Sequence, residues 1–197
     1  MFLAVEGPNG IGKSTIVAAL AAQLEQRLPT GTTVIATKEP STSPLGMAAR
    51  SMEGELTGLA LAMACAADRL HHIKAAILPA RLHGAWVITD RYVPSSLVLQ
   101  RLDGLTLDAI WALNETAPAP DLTVYLEDDP ATISHRLAAR DQRSRLELSA
   151  REGQELQLYR DARAFLDQRG WRQHVADGRG RTPTAIAAGL AELVTAD

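Results

Sequence analysis

Short apolar runs alternate along the chain with longer stretches in which apolar residues recur every three or four positions. The short runs are rich in apolar and β-branched side chains, which is typical of buried strands. They cover residues 2–5, 32–37, 86–89, 122–126 and 171–175. The longer stretches predict helices over residues 14–27, 44–53, 56–80, 95–101, 107–116, 151–168 and 182–194, with another helix after the Asp-Asp-Pro segment 128–130. Strands that alternate with helices predict an α/β fold, with a parallel sheet of about five strands and helices on both faces.

The first predicted strand leads directly into a glycine-rich loop. Residues 7–15 read Gly-Pro-Asn-Gly-Ile-Gly-Lys-Ser-Thr and contain the complete pattern G-x-x-x-x-G-K-[ST]. Backbone N–H groups in such a loop surround a phosphate, and the positive end of the next helix adds to the attraction. Lys13 is predicted to reach the β- and γ-phosphates of a nucleoside triphosphate, and the hydroxyl of Ser14 or Thr15 to bind Mg²⁺. The loop therefore predicts a P-loop NTPase fold of three α/β/α layers, in which the triphosphate contacts Gly7, Pro8, Asn9, Gly10, Ile11, Gly12, Lys13, Ser14 and Thr15.

Length and composition limit the remaining possibilities. The 197 residues suit a single domain, 1–197, and the sequence contains no internal repeat or linker. A formal net charge of −3 gives no reason to expect non-specific binding to nucleic acid or to a membrane. The single cysteine, Cys65, excludes a disulfide framework within the chain and a zinc cluster built on cysteines. Apolar runs too short to span a bilayer, and an N-terminus that enters a strand at once, predict a cytoplasmic protein.

Two charged clusters add candidate chemistry. Asp90 and Arg91 come directly after the buried strand 86–89, at the sheet edge where parallel α/β proteins bind ligands. P-loop proteins place a magnesium-side carboxylate at such a strand end, and an arginine offers a planar fork to a second anion. The other cluster comprises Arg136, Arg140, Arg143 and Arg145, with Glu147 after them. A solvated charged face and a basic lid over residues 141–149 both explain this cluster; the need for cations over a transferred phosphoryl group favours the lid.

These segments together resemble the thymidylate kinase family of nucleoside monophosphate kinases, and the resemblance extends over nearly the whole chain. It rests on EGPNGIGKST at 6–15, KEP at 38–40, AADR at 66–69, DRYVPSS at 90–96, PDLTVYL at 120–126 and the arginine-rich segment 140–147. The P-loop pattern alone is shared by many unrelated proteins, whereas its combination with the other segments in this order is selective. The resemblance implies ATP-dependent phosphoryl transfer to a nucleoside monophosphate, with Mg²⁺ as the cofactor.

The resemblance also implies a role for each matching residue. Arg91 and Lys38 are implied to hold the phosphate of the acceptor, and Arg69 to face its base. Glu39 is implied to join Ser14 and Asp90 on the magnesium side. The implied acceptor-binding residues are Asn9, Lys38, Glu39, Cys65, Arg69, Arg91, Tyr92, Ser95, Ser96, Leu99 and Gln100. The implied catalytic residues are Lys13, Arg91, Arg140, Arg143 and Arg145, while Asp177 and Gly178 are implied to lie against the adenine of ATP.

Several positions depart from the family pattern in the part of the site that reads the base and the sugar. Cys65 stands where family members usually carry a phenylalanine that stacks on thymine, and Leu99 where they carry a tyrosine that excludes a ribose 2′-hydroxyl. Asn9 replaces an aspartate that addresses the 3′-hydroxyl, and Lys38 replaces an arginine. Because base–aromatic stacking contributes about 1–3 kcal/mol, the missing ring predicts thymidylate binding that is about tenfold weaker or more. We therefore hypothesise a competent phosphotransferase whose acceptor differs from thymidylate, unless a neighbouring ring such as that of Tyr92 stacks instead.

Two other functions stay open on the sequence. A kinase of a nucleoside or another small acceptor would prefer an unphosphorylated substrate, and the cation at Arg91 argues against it. A regulatory P-loop ATPase would hydrolyse ATP without stimulation by an acceptor, and it leaves the basic lid unexplained. The helix 56–80 carries apolar residues on more than one face, which predicts burial within the domain or a homodimer, as the resemblance implies. His71 and His72 are predicted to lie on the surface of this helix and to take no part in catalysis.

Overall fold

The computed structural model describes residues 1–139, 145 and 153–196. Five strands form one sheet: β1 (Phe2–Glu6), β2 (Val34–Lys38), β3 (Trp86–Asp90), β4 (Leu122–Glu127) and β5 (Gln173–Asp177). All neighbouring strands are parallel, and their order across the sheet is β2-β3-β1-β4-β5. This arrangement confirms the α/β fold with a parallel sheet of about five strands that the sequence predicts.

Helices connect the strands. Within the described residues they are α1 (Lys13–Arg27), α2 (Pro44–Ser51), α3 (Gly58–His72), α4 (Leu78–Leu82), α5 (Val93–Leu102), α6 (Leu107–Ala112), α7 (Pro130–Ala138), α8 (Gln154–Asp167) and α9 (Pro183–Thr195). Hydroxyl side chains accept a backbone hydrogen bond at the start of three helices: Ser43 caps α2, Thr106 caps α6 and Thr182 caps α9. None of the helices in the described ranges is both long enough and apolar enough to cross a membrane.

Alternate residues of β1 pack into different layers. Leu3 and Val5 belong to a core that includes buried residues of α1 and α9, while Phe2 and Ala4 belong to a second core with α5 and α8. Burial on both faces explains why β1 reads as a continuous apolar run. The sheet therefore lies between two layers of helices, as predicted, and the carboxyl ends of β1, β2 and β3 meet at one edge.

Some element boundaries differ from the predicted ones where a local feature interrupts the pattern. The helix predicted over 56–80 consists of α3, a π-helical turn (Ile73–Ile77) and α4. Pro79 in α4 has no N–H group, and the wider π turn before it accommodates the missing hydrogen bond. β5 begins at Gln173 rather than at residue 171, because the backbone N–H of Trp171 donates a hydrogen bond of 3.2 Å to the carbonyl oxygen of Leu166 in the preceding helix.

Candidate active site

The glycine-rich loop between β1 and α1 has the backbone geometry that a phosphate-binding loop requires. Gly7, Gly10 and Gly12 adopt positive φ angles of 146°, 85° and 94°, which disfavour residues with a side chain. A Cβ atom on Gly7 would lie 2.9 Å from the carbonyl oxygen of Leu126, and one on Gly10 would lie 2.9 Å from that of Ile133. The loop therefore packs closely against β4 and α7, and glycine fits where a larger residue would collide with backbone.

Lys13, the first residue of α1, is buried within the loop. Its Nζ atom donates hydrogen bonds to the carbonyl oxygens of Gly7 at 2.8 Å and Pro8 at 2.9 Å. Burial, together with a smaller contribution from the nearby guanidinium of Arg91, lowers the pKa of Lys13 to about 7. Within the described residues the hydrogen bonds of the ammonium group go to neutral carbonyls, and an anionic phosphate in the loop would bind it more strongly.

The side chain of Ser14, in the first turn of α1, meets that of Asp90 at the end of β3. Ser14 Oγ donates a hydrogen bond of 2.5 Å to Oδ2 of Asp90, while Oδ1 is buried and has no hydrogen-bond partner in the described part of the chain. A buried carboxylate oxygen without a partner suits a cation, and hydroxyl and carboxylate oxygens are ligands that Mg²⁺ prefers. Residues 1–139, 145 and 153–196 contain no group of three or more His, Cys, Asp or Glu that could hold a metal, so phosphates and water would complete the shell.

Arg91 follows β3 with a positive φ angle of 74°, which is uncommon for a residue with a side chain. Its Nη2 atom donates a hydrogen bond of 2.5 Å to Oδ1 of Asn9, and its Nη1 atom donates one of 3.1 Å to Oγ of Ser95. The guanidinium is therefore fixed between the P-loop and the first turn of α5. This is the strand end at which the sequence predicts an anion-binding arginine.

A buried carboxylate that sequence analysis assigned no role holds the Arg91 segment against β1. Glu6 Oε1 accepts a hydrogen bond from the backbone N–H of Tyr92 at 2.6 Å, and Oε2 accepts from the hydroxyls of Ser95 at 2.6 Å and Tyr159 at 3.3 Å. Burial raises the pKa of Glu6 to about 7. Its only signal in the sequence is its position directly before the P-loop.

A small cavity of about 40 Å³ lies beside Arg91. Its lining consists of Glu39, Pro40, Cys65, Arg69, Arg91, Ser95, Ser96, Leu99 and Gln100. The structure thus brings together the predicted acceptor-binding residues except Asn9, Lys38 and Tyr92, although they come from three separate segments. Oε1 of Gln100 is buried and has no hydrogen-bond partner among the residues described, so this cavity wall offers an acceptor to a ligand N–H group.

Arg69 is buried in the wall of this cavity, where its guanidinium donates hydrogen bonds to four residues. Its Nε donates to Oε2 of Glu39 at 2.7 Å, and its Nη2 donates to the carbonyl oxygen of Tyr92 at 3.0 Å. Its Nη1 donates to Ser96 Oγ at 3.0 Å and to Oδ1 of Asn114. Most of its N–H groups therefore bind the protein, so the side chain builds the cavity as much as it faces a ligand.

The structure corrects the prediction for His72. The side chain is 5% exposed, and it lies between Glu39 and Thr37 rather than on the helix surface. Nδ1 lies 3.2 Å from Oε1 of Glu39, and Nε2 lies 2.8 Å from Oγ1 of Thr37. Glu39 consequently uses one oxygen for Arg69 and the other for His72, and the predicted place of this carboxylate on the magnesium side is not supported by its contacts.

Two residues that were predicted to contact the acceptor, Tyr92 and Lys38, do not line the cavity. The ring of Tyr92 is fully buried, with its centroid 5.2 Å from that of Phe2, so it is not placed to stack on a base. Tyr92 meets the cavity wall through Arg69, which binds its backbone carbonyl oxygen and lies over its ring with Cζ 5.5 Å from the centroid. Lys38 is exposed at the end of the edge strand β2 and does not line the cavity.

A larger cavity of about 250 Å³ lies on the other flank of the P-loop. Ile11, Gly12 and Thr15 contribute to its lining, together with Arg136 and Gly178. Arg136 Nη1 donates a hydrogen bond of 2.9 Å to Oδ2 of Asp128, so the first of the four clustered arginines faces this cavity. Asp177, which was also predicted to lie against the adenine, is exposed and does not line this cavity. Hydrogen bonds from Arg179 lower the pKa of Asp177 to about 2.

Arg145, one of the implied catalytic residues of the predicted lid, makes several contacts with other segments. Its guanidinium forms a bidentate ion pair with Asp103, at 2.5 Å and 2.8 Å, and it donates to the carbonyl oxygens of Glu53 at 3.0 Å and Leu56 at 3.3 Å. This arginine therefore joins the end of α5 to the segment before α3. Arg140, Arg143 and Glu147, with most of the predicted lid 141–149, lie outside the described residues.

The fold and these contacts define a P-loop nucleotide-binding protein with two neighbouring ligand positions, one along the loop and one beside Arg91. The family model described as "Thymidylate kinase" matches residues 5–166. The "Probable thymidylate kinase" of Pyrobaculum aerophilum is 34% identical over 198 residues, which cover 98% of this chain and 95% of that protein. The chain therefore belongs to the thymidylate kinase family.

Two further comparisons agree with this assignment. The "Thymidylate kinase" of Xanthomonas campestris pv. campestris (strain B100) is 39% identical over 142 residues, and this match spans 71% of the present chain and 61% of the Xanthomonas protein. A crystal structure of thymidylate kinase from Ehrlichia chaffeensis aligns with a TM-score of 0.72 at 22% identity, over 98% of each chain. The structural likeness confirms the fold over 98% of this chain.

Proposed function

We propose that the protein transfers the γ-phosphoryl group of ATP to a nucleoside monophosphate, with thymidylate as the acceptor and its diphosphate as the product. The observation that carries this proposal is the position of Arg91, which lies 2.5 Å from the P-loop residue Asn9 and also lines the second cavity. A cation between the two positions brings two phosphorylated ligands together at their phosphates. The names of the relatives supply thymidylate as the acceptor.

On the donor side, the loop amides and Lys13 hold the β- and γ-phosphates, and the cavity beside Thr15 and Gly178 takes the adenine. Ser14 and Asp90 are the residues that would hold Mg²⁺, which neutralises charge on the phosphates when it is bound. Arg91 lies close enough to Lys13 for its charge to lower the pKa of the lysine. Two cationic side chains therefore lie beside the path of the transferred group. Catalysis then consists of positioning and electrostatic stabilisation.

On the acceptor side, the planar fork of Arg91 binds the monophosphate. Oε1 of Gln100, which has no partner among the described residues, accepts a hydrogen bond from an N–H group of the base. Burial raises the pKa of Cys65 to about 11, so the thiol that lines the cavity is neutral and acts as a small apolar contact. The catalytic lid roles of Arg140, Arg143 and Arg145 stay predictions.

A second acceptor class deserves a direct comparison, because Cys65 and Leu99 both line the cavity. Neither supplies the aromatic ring that the family resemblance leads us to expect, and the buried ring of Tyr92 does not replace it. A cavity without these rings would also admit a nucleoside monophosphate other than thymidylate, including a ribonucleotide. The phosphate-binding side is the same for both classes.

The experiment offers purified protein ATP, Mg²⁺ and each member of a panel of thymidylate, deoxyuridylate, uridylate, cytidylate, guanylate and thymidine. We expect diphosphate formation with thymidylate, and a kcat/KM for another monophosphate above that for thymidylate would establish the altered acceptor. Turnover of thymidine but of no monophosphate would contradict the proposal, as would ATP hydrolysis without stimulation by any acceptor. Lys13→Ala, purified in parallel, is expected to lack activity and so excludes a contaminating kinase.

We also propose that two copies associate through α2 and α3. Met47, Leu59 and Met63 on these helices are 59%, 52% and 54% exposed, and an exposed apolar patch of this kind is typical of an interaction surface. Light scattering is expected to give twice the mass of the chain, and Met63→Lys to give a monomer.

We propose that the protein is located in the cytoplasm, where ATP and nucleoside monophosphates are available and Cys65 stays reduced.

A further inference from the structure

Glu155, in the first turn of α8, reaches across to the P-loop. Its Oε2 accepts a hydrogen bond of 2.8 Å from the backbone N–H of Asn9. The side-chain Nδ2 of Asn9 donates to the same carboxylate, at 3.1 Å to Oε1 and 3.3 Å to Oε2. Both residues are buried, with 6% and 7% of their surfaces exposed. A carboxylate distant in sequence therefore holds both polar groups that Asn9 offers as donors.

This contact fixes which way the amide of Asn9 points. Its NH₂ group faces the carboxylate of Glu155, so its oxygen faces the guanidinium of Arg91 at 2.5 Å. A rotation of the amide by half a turn would place its oxygen against a carboxylate and its NH₂ group against a guanidinium. Both contacts would be repulsive, so the charge of Glu155 sets the orientation that Arg91 requires.

The neutral amide also leaves the charge of Arg91 available. A carboxylate at position 9 would form an ion pair with Arg91 and compete with a phosphate for the same N–H groups. Glu155 makes its hydrogen bonds to Asn9, and the neutral amide of Asn9 contacts the guanidinium, so Arg91 is oriented without a direct carboxylate partner at position 9. Ser95 Oγ accepts from the other arm of the fork at 3.1 Å, so both ends of the guanidinium have a fixed partner.

We propose that Glu155 is a positioning residue for acceptor binding, and that it acts by locking the amide of Asn9 so that the guanidinium of Arg91 faces the acceptor phosphate. This inference rests on the proposed function, in which Arg91 holds that phosphate. It does not require Glu155 to contact either ligand.

Glu155→Gln keeps the size of the side chain and removes its charge. The new amide keeps one acceptor oxygen and sets an N–H group where Oε1 now lies 3.1 Å from Nδ2 of Asn9, so the preference for the present orientation of Asn9 is weakened. We expect the KM for thymidylate, or for the preferred acceptor, to rise about tenfold, as the loss of one buried charge-assisted hydrogen bond implies. We expect kcat and the KM for ATP to change less than about threefold. Glu192→Gln, at an exposed position of α9, is the matched control and is expected to leave all three constants unchanged.

The same substitution in an Asn9→Ala background separates this role from a general structural one. If Glu155 acts through Asn9, Glu155→Gln changes the acceptor KM of Asn9→Ala less than about twofold. A tenfold effect in both backgrounds, or no effect in the wild-type background, would overturn the proposal. Thermal unfolding of each variant identifies any that do not fold.

A crystal structure of Glu155→Gln gives a readout that does not depend on turnover. We expect Oδ1 of Asn9 to leave the guanidinium of Arg91, and an unchanged hydrogen bond between them would contradict the proposal. If wild-type protein phosphorylates no monophosphate, the proposed function fails, and the crystal structure still decides whether Glu155 positions Asn9. If the wild type is active and the acceptor KM of Glu155→Gln is unchanged, only the role of Glu155 fails.

Discussion

Ser14 and Asp90 are 76 positions apart in the sequence, and a hydrogen bond of 2.5 Å joins Oγ of the serine to Oδ2 of the aspartate. The contact follows from the sheet order, because β1 and β3 are neighbours and Val5 is in register with Asp90. α1 therefore begins beside the end of β3. Since Oδ1 of Asp90 is buried without a partner in the described part of the chain, one side of this carboxylate is directed to the protein and the other suits a cation.

Asp90→Asn is expected to lower kcat/KM for ATP by about 10²-fold or more, because the amide removes the negative charge that would hold Mg²⁺ beside the phosphates. Coupled-enzyme kinetics over a range of Mg²⁺ concentrations measure the effect, and half-maximal activity should need more Mg²⁺. The control is Asp108→Asn, at an exposed position of α6. An unchanged Mg²⁺ requirement in Asp90→Asn would contradict the assignment of this carboxylate.

Binding of ATP is expected to add a proton to the protein at alkaline pH. Burial lowers the pKa of Lys13 to about 7, so at pH 8.5 the side chain of the free protein is mostly neutral. Phosphate favours the charged form and raises this pKa, so about one proton is taken up at pH 8.5 and almost none at pH 6. Isothermal titration calorimetry in buffers with different ionisation enthalpies counts these protons.

The matched variant for this measurement is Lys13→Arg, whose guanidinium stays charged at both pH values. It is expected to show no proton uptake at pH 8.5, whether or not it binds ATP as tightly as the wild type. Equal proton uptake by the variant and the wild type would assign the titration to another group, such as Glu6.

Arg69→Met is expected to lower the free energy of unfolding by about 3 kcal/mol or more, because it leaves the carboxylate of Glu39 buried without its main partner. Denaturant titration measures the loss. Arg160→Met removes a weaker and more exposed ion pair with Glu127, at 3.5 Å, and is expected to cost less than about 1 kcal/mol. Similar losses in both variants would show that the buried network around Glu39 does not stabilise the fold.

Gly46→Ala is expected to destabilise the protein by about 2 kcal/mol or more. A Cβ atom at this position would lie 2.6 Å from the backbone nitrogen of Ser41 and 2.7 Å from Oδ1 of Asp68, and it would also collide with the carbonyl oxygen of Ser41. Asp68 accepts hydrogen bonds from Ser41 and Ser43, so the collision disturbs the start of α2. Thermal unfolding of Gly54→Ala, where a Cβ atom meets nothing within 4 Å, is the control and should match the wild type.

The fold could be predicted from the sequence because its main signals are local. β1, the P-loop and α1 follow one another within 27 residues, and each has its own pattern of apolar positions or glycines. The break between α3 and α4 could have been expected from Pro79, whereas the start of β5 could not. Trp171 is an aromatic residue of the kind that favours strands, but its backbone N–H bonds to Leu166 of the preceding helix, and no local pattern indicates this contact.

The phosphate-binding side of the site could be predicted for the same reason, but the network behind it could not. Glu155 reads as one polar position of an amphipathic helix, and nothing near it in sequence indicates that it binds Asn9. His72 likewise reads as a helix-surface residue until Glu39 and Thr37 are placed beside it. Contacts between segments so far apart depend on the completed sheet, which no local pattern specifies.

The backbone of Arg91 makes its position unusually intolerant of change. A glycine would relax the left-handed turn, which costs roughly 1 kcal/mol or more for a residue with a Cβ atom, but it would carry no cation. A lysine would keep both the cost and the charge, yet it would lose the fork that contacts Asn9 and Ser95 at once. Neither glycine, which removes the backbone strain, nor lysine, which keeps the charge, replaces arginine at this position. The protein therefore accepts a strained backbone at position 91 in order to place a guanidinium there.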